Sequence, residues 1–387
     1  MENTMLSLFR LKLVSLNRLM LTLVFLSTLV SITIAGGQSF NTTMGIGNYG
    51  TSRADQQALQ ISAARRQIER NHQNTNPEAL SLSNQSTTVF SQIIKAVEQD
   101  DYLATNKIVL STLNKSPNIF MLGFPDFTIP ASNAAIFCRY VIKHQLNVNA
   151  SNQASDVLPV VISALGARPS IPATVSYQII FLLIIFFCIL FISHTVTNEL
   201  HAGTINLLQT SPVTFTNQTI INGLTIVGTL LIAVGAGIMA ACVVLMLVFH
   251  RHLGTWLFPI IRTNSSGTLI MPMRDYLVKY ILLIIVWLIL FFLFATILSL
   301  LVRNSLIITS VLLLITFANQ LGLLDLAPTR LLQYLPSAMQ NPSDVILTSG
   351  IFANTGYWQS LLHLSLWIII CIATLIPVRI ITNIHRH

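Results

Sequence analysis

Charge is scarce in this sequence. Asp, Glu, Lys and Arg make up 9% of its 387 residues, against roughly 25% in soluble globular domains, so water is not its main solvent. No stretch reads G-x-x-x-x-G-K-[ST], which excludes the usual loop for cradling the phosphates of ATP. H-E-x-x-H and G-x-S-x-G are absent as well, and with them the commonest zinc-peptidase and serine-hydrolase signatures. The four cysteines, Cys138, Cys188, Cys242 and Cys371, show no C-x-x-C or Cys/His metal spacing, so neither a zinc site nor a disulfide framework is supported. A net charge of +8 comes from thinly spread Lys and Arg without a run of basic residues. That pattern fits anionic lipid headgroups and gives no footing for nucleic acid.

What the sequence has in quantity is apolar side chains, 53% of the total. A helix needs about 20 mostly apolar residues to cross a hydrocarbon core about 30 Å thick. Six runs meet that size, at 17–36, 173–195, 219–249, 276–302, 305–324 and 359–379. The expectation is an all-α polytopic membrane protein of six transmembrane helices, with a large extracytoplasmic α or α+β domain between the first and the second. The run 17–36 follows basic residues and ends in Ala35, Gly36 and Gly37, as a cleavable signal peptide also does. Because further spans follow, it is read as an uncleaved signal anchor. In the third run, Gly223, Gly228, Gly235 and Gly237 permit close approach of a neighbouring helix.

The segments between these runs differ sharply in composition. In 1–16, Leu6, Phe9, Leu13 and Leu16 recur at helical spacing opposite Arg10 and Lys12, the pattern of an interfacial helix; a plain basic flank is the alternative. The polar stretch 37–172 is the expected soluble domain, with helices signalled by Ala58, Ile61 and Ile68, by Val89, Phe90, Ile93, Ile94 and Val97, and by Ala135, Ile136, Tyr140 and Ile142. Asp156 to Ala164 suits either strand or helix. Residues 250–275 are read as an outer loop, 325–358 as an outer segment too polar to span, and 380–387 as a tail. Basic residues near the two ends favour both termini in the cytoplasm, whereas those between 250 and 274 oppose it.

Between the second and third runs, at 196–218, the chain reads Asn-Glu-Leu-His-Ala-Gly-Thr-Ile-Asn-Leu-Leu-Gln-Thr-Ser-Pro from Asn198 to Pro212. Leu200, Thr204, Leu207 and Leu208 fall on one face at helical spacing, and Pro212 halts the helix. A short amphipathic helix of this kind docks into a groove on a soluble partner. An ordinary helix-turn connection punctuated by Gly203 and Pro212 is the plainer alternative.

The same stretch resembles the first cytoplasmic loop of type 2 ABC exporter permeases. There an acidic residue, a Gly-Thr pair, a Leu pair and a Ser-Pro follow the second span in that order, matched here by Glu199, Gly203, Thr204, Leu207, Leu208, Ser211 and Pro212. Where the family often carries Arg beside the acidic residue, this chain has His201. The resemblance implies a coupling helix that docks on a separate ABC ATPase subunit, and a second permease copy or a sister permease. ATP and Mg would sit on the ATPase, with no cofactor in this chain. It also implies export of an amphipathic cargo such as a peptide, drug or lipid-like molecule across a bacterial plasma membrane. In the family the segment before the last span dips back as short helices near the outer mouth.

Polar residues inside apolar runs mark the candidate translocation path: Asn319 and Gln320 in the fifth run and His363 in the sixth. Simple interhelical hydrogen bonds explain them equally well. A different class of function, a membrane sensor or antimicrobial-peptide immunity receptor binding its ligand through the outer domain without transport, fits the same layout. An intramembrane enzyme fits less well, since the spans carry no acidic pair.

Overall fold

The structure is a computed structural model. It describes residues 16–41, 53–73, 77–115, 131–148, 156–165, 176–201, 215–264, 267–302, 304–326, 328–348 and 350–384. The expected interfacial helix at 1–16 lies almost wholly outside that range, and so does the stretch from Pro117 to Pro130. The chain is mostly helical and divides into two units. The first comprises Met1–Ile32, Val175–Ala241 and Leu277–His387, and the second Thr33–Thr174 and Cys242–Tyr276.

Four helices are long and apolar enough to cross a membrane: α1 (Arg18–Asn41), α8 (Phe215–Phe249), α9 (Met273–Leu301) and α13 (Tyr357–Ile384). Two others carry shorter apolar stretches, Leu182–Asn198 in α7 (Ser176–His201) and the whole of α10 (Ser305–Phe317). Each has apolar residues all round, as lipid on one side and protein on the other require. The apolar part of α8 runs for 33 residues, about 50 Å at 1.5 Å per residue and so longer than a bilayer core of about 30 Å.

In the first unit, the close approach anticipated at the glycines of α8 is made at two of four. A Cβ on Gly237 would meet Thr28 Cβ at 2.8 Å and Phe25 O at 3.0 Å, and one on Gly223 would meet Phe292 at 2.9 Å. Gly228 and Gly235 have nothing within 4 Å. At the far end of the same helices, in the second unit, Gly36 lies against Leu245 and Gly37 against Phe249. Residue numbers on the two helices rise together, so α1 and α8 run parallel. The phenol of Tyr357, at the start of α13, donates to the Lys279 carbonyl in the second turn of α9 at 2.8 Å, which sets the starts of those two helices side by side.

The second unit is built on helices α2 (Arg53–His72), α3 (Pro77–Glu98), α4 (Tyr102–Lys115), α5 (Ala131–Lys143) and α6 (Val157–Ala164). Helix α2 pairs with α3, α3 with α4, and α4 with α5. The α3–α4 turn is a Schellman closure: Asp101 N–H donates to Ala96 O at 2.9 Å and Asp100 N–H to Val97 O at 3.0 Å, with Asp100 in the left-handed region at φ 55°. Asp101 then caps α4 by accepting from the Ala104 amide at 2.8 Å. Part of the α2–α3 seam is polar, with the Asn71 amide donating to Ser86 Oγ at 3.0 Å and Ser83 Oγ to the Asn71 carbonyl at 2.8 Å.

Two findings revise the expected domain. The segment 250–275 is not a plain loop: it folds into an antiparallel hairpin, β1 (Pro259–Asn264) with β2 (Gly267–Pro272), in the register Ile261↔Ile270. It is joined to the other insert of its unit. Val157 N–H donates to His252 O and Leu158 N–H to Leu253 O, both at 2.9 Å, and Phe137 of α5 meets Phe258 with ring centroids 6.0 Å apart. The buried face of α5 also lies one residue away from the predicted one. Ala134, Phe137, Cys138 and Val141 are buried, while Ala135, Ile136, Tyr140 and Ile142 are partly exposed.

Gly254 makes this join tight. Its φ of +89° suits glycine, and a Cβ there would sit 2.9 Å from Asp156 Cβ. Gly254→Ala is expected to destabilise the second unit by about 1–2 kcal/mol, read as faster amide exchange at Val157 and Leu158. All four cysteines are buried, and burial pushes the Cys138 thiol up to about 12. At pH 7–8 its reactive thiolate is therefore scarce. Maleimide mass-labelling of the native protein is expected to leave Cys138 unmodified until denaturant is added.

Candidate functional site

The proposed coupling segment is suspended between two long helices. Helix α7 carries the chain to His201 and α8 resumes it at Phe215. Glu199 falls in the last turn of α7, whereas Gly203, Thr204, Leu207, Leu208, Ser211 and Pro212 lie outside the described residues. Just before the segment, Val196 and Thr197 are buried and Asn198 is exposed, its amide 3.0 Å from the His194 imidazole.

Helix α7 is held to α10 by a polar seam inside an otherwise apolar contact. Ser193 Oγ and Thr309 Oγ1 lie 2.5 Å apart, and both side chains are buried. Each is also within reach of its own helix, Ser193 of Ile189 O at 2.9 Å and Thr309 of Ser305 O at 2.8 Å. A hydroxyl has one proton, so one donates across the interface while the other donates back to its own backbone. Around them α7 buries Ile189, Ile192 and Val196, and α10 buries Ile308 and Leu312.

The path residues read from sequence do not come together. Asn319 and Gln320 are exposed and follow Phe317, the last residue of α10, in its closing turn. That turn closes as a Schellman motif, with Leu323 N–H donating to Ala318 O at 2.9 Å, Gly322 N–H to Asn319 O at 3.1 Å, and Gly322 at φ +70°. His363 is half-buried in α13 and faces the preceding segment. Its Nδ1 donates to the Gln333 carbonyl at 3.3 Å and its ring lies 4.6 Å from that of Tyr334. Four residues on, Trp367 Nε1 donates to Tyr334 O at 2.8 Å.

The segment between α10 and α13, read as too polar to span and, from the resemblance, as short helices that dip back, is a chain of short helical turns. They are 3-10 turns at Leu323–Leu326, Pro336–Gln340 and Gly350–Phe352, with α11 (Thr329–Leu332) and α12 (Pro342–Ile346). Its middle is buried. All of Pro336 to Gln340 is covered, as are Pro342, Ser343, Val345, Ile346 and Leu347. The Pro336–Gln340 turn contacts α10, α12 and α13. Asn341 starts α12 by accepting from the Ser343 amide at 3.3 Å, and its amide donates to Asp344 at 2.7 Å. Non-helical backbone inside a membrane protein is tolerable where protein encloses it, which is the situation of this segment.

Sequence reasoning missed the polar groups that the packing encloses. Ser193 and Thr309 were passed over because hydroxyls on apolar helices are common and satisfy themselves against their own backbone. Gln340 lies in a stretch whose composition looks solvated. Its side chain is only 4% exposed, and neither Nε2 nor Oε1 has a hydrogen-bond partner. Among the described residues no group of His, Cys, Asp or Glu is arranged to hold a metal ion.

Residues 11–379 match the family described as ABC-2 family transporter protein. No curated protein and no solved structure matches the chain.

The seam is measurable by a double-mutant cycle in detergent. Ser193→Ala and Thr309→Val are each expected to lower stability by about 0.6–1.7 kcal/mol, and the double variant by little more than the larger single effect. Gln320→Ala, on an exposed side chain, is expected to stay within about 0.5 kcal/mol of the native protein.

Proposed function

The chain belongs to the ABC-2 family of transporter proteins, which makes it the membrane-spanning permease partner of an ABC ATPase; from that premise we propose that it is the permease of an exporter for an amphipathic cargo. The carrying observation is the family match over residues 11–379, within which the Glu199-to-Pro212 segment falls between α7 and α8, where an ATPase-docking loop belongs. Lacking a phosphate loop of its own, the chain takes its energy from the partner, where ATP and Mg bind. Closure of two ATPase subunits would press on the coupling segments of two permeases, either two copies of this chain or this chain with a sister.

Connectivity supports six crossings. The backbone bonds from Val157 and Leu158 to His252 and Leu253 support reading the start of α7 and the end of α8 on one side of the membrane. Because α8 is long enough to cross, α7 then crosses too. The Tyr357–Lys279 bond likewise sets the starts of α9 and α13 at one level, so the chain that leaves along α9 returns through α10 and the turns after it. Parallel α1 and α8 fit the same alternation. With both termini in the cytoplasm of a bacterium, the coupling segment faces the ATPases and the second unit lies outside.

Affinity isolation in mild detergent tests the docking assignment. The native chain is expected to bring down an ABC ATPase. Leu207→Glu/Leu208→Glu is expected to lose it by about tenfold or more, since burying a carboxylate in an apolar groove is prohibitive, while the variant keeps its native elution volume. An ATPase retained by the variant removes the docking role from this segment. No ATPase with the native chain would favour the outer-domain receptor.

A further inference from the structure

Gln340 presents a donor and an acceptor that the protein itself leaves unmatched. The side chain is 4% exposed, so water in bulk does not serve it, and neither end of the amide has a partner. Buried amides in folded proteins are almost always paired, because an unmatched donor or acceptor away from water is strongly unfavourable. An exception calls for an explanation at its own site. Polar groups are buried on the elements the turn belongs to or contacts: Ser337 in the turn itself, Ser343 in α12, and Ser360 in α13, whose buried Oγ is also without a partner. The turn contacts α10 and α13, the helices on either side of the whole run of short turns.

We infer that Gln340 is a cargo-contacting group of the translocation path, and that the group it takes is the secondary amide of a peptide backbone. This rests on the exporter reading and narrows its cargo class. A carboxamide offers a donor and an acceptor side by side, and the group that answers both at once is another amide with its own N–H and C=O. A hydrocarbon or an ether would answer neither or only one, and a charged head would leave its charge unpaired in the interior. The 3-10 geometry sharpens the site, because side chains three apart eclipse in such a turn. Ser337 and Gln340 therefore share one edge, and Met339, fully buried, lies off it.

The test uses the permease–ATPase complex in nanodiscs and a cysteine reporter beside an intact Gln340. Ser337→Cys is expected to react with a small cationic methanethiosulfonate about tenfold faster than Met339→Cys, as access to a wet path requires. The probe is N-acetyl-tetraleucine amide, with its backbone-N-methylated counterpart as an equally apolar control lacking those donors. The peptide is expected to slow labelling severalfold and the control not to. In Ser337→Cys/Gln340→Leu that protection should vanish, while thermal stability is unchanged or higher because an unmatched amide has been removed. Equal reaction rates at 337 and 339 overturn the path assignment. Equal protection by both probes, protection by neither, or protection surviving Gln340→Leu overturns the amide assignment. Each of these is read on complex that already carries its ATPase, so failure of the exporter reading shows separately, as absence of the ATPase.

Discussion

Hydrocarbon offers nothing to a backbone N–H or C=O, so every peptide group at membrane depth has to find its partner within the protein. The rest of the architecture depends on that constraint. It accounts for the long helices α1, α8, α9 and α13, of which only α13 holds an internal proline, Pro377, and for the placement of irregular backbone. The turns from Leu323 to Phe352 bend repeatedly. They do so where proline-started 3-10 geometry and a capping asparagine satisfy the local amides and neighbouring helices cover the middle. The same rule explains why α10 stops in a Schellman motif at Gly322: the last carbonyls of a helix with no further residues to serve them are taken up by the returning chain.

The polar inserts obey a different economy. In the second unit, helices such as α2 tolerate a seam of Asn, Ser and Gln because both sides of it hydrogen-bond. The strongest joint there is not apolar contact alone. The amides of Val157 and Leu158, at the start of α6, are among those with no partner inside their own helix, and they donate to the His252 and Leu253 carbonyls, early in the α8-to-β1 connection. A helix start thereby ties together two inserts that Val175–Ala241 of the first unit separates in the chain.

Apolar run length located the long helices to within a few residues, because the bilayer imposes a length scale that composition alone reveals. Periodicity found α2, α3 and α5 in the polar domain, but it missed α4. That helix buries Tyr102, Thr105, Asn106, Val109 and Thr112, and a face so rich in Thr and Asn gives no apolar rhythm to read. The hairpin at 259–272 was legible in principle: Ile260, Ile261 and Thr263 precede a Ser-Ser turn, and Thr268 and Ile270 follow it. Position between two apolar runs had argued for a simple loop. The coupling-segment reading rests on likeness to a family and on amphipathic spacing, since all of it after His201 lies outside the described residues. Gln340 was not legible at all, because its burial comes from three other elements that meet only in the folded chain.

Under the proposed docking role, these contacts are the route by which a push on the coupling segment would reach the interior. The coupling segment continues directly from α7. Two turns back along α7, Ser193 engages Thr309 of α10, and α10 in turn packs on the Pro336–Gln340 turn. Interfaces of this kind are close-packed and switch between arrangements more readily than they deform. A hydroxyl pair suits such a switch, since each partner keeps its fallback acceptor on its own helix when the pair separates. Breaking the contact therefore leaves no orphaned group on either side, and α7 can slide against α10 at small energetic penalty. The buried amide of Gln340 lacks that fallback. The seam that moves is thus self-satisfied, and the group left unsatisfied is the one that waits for something to bind.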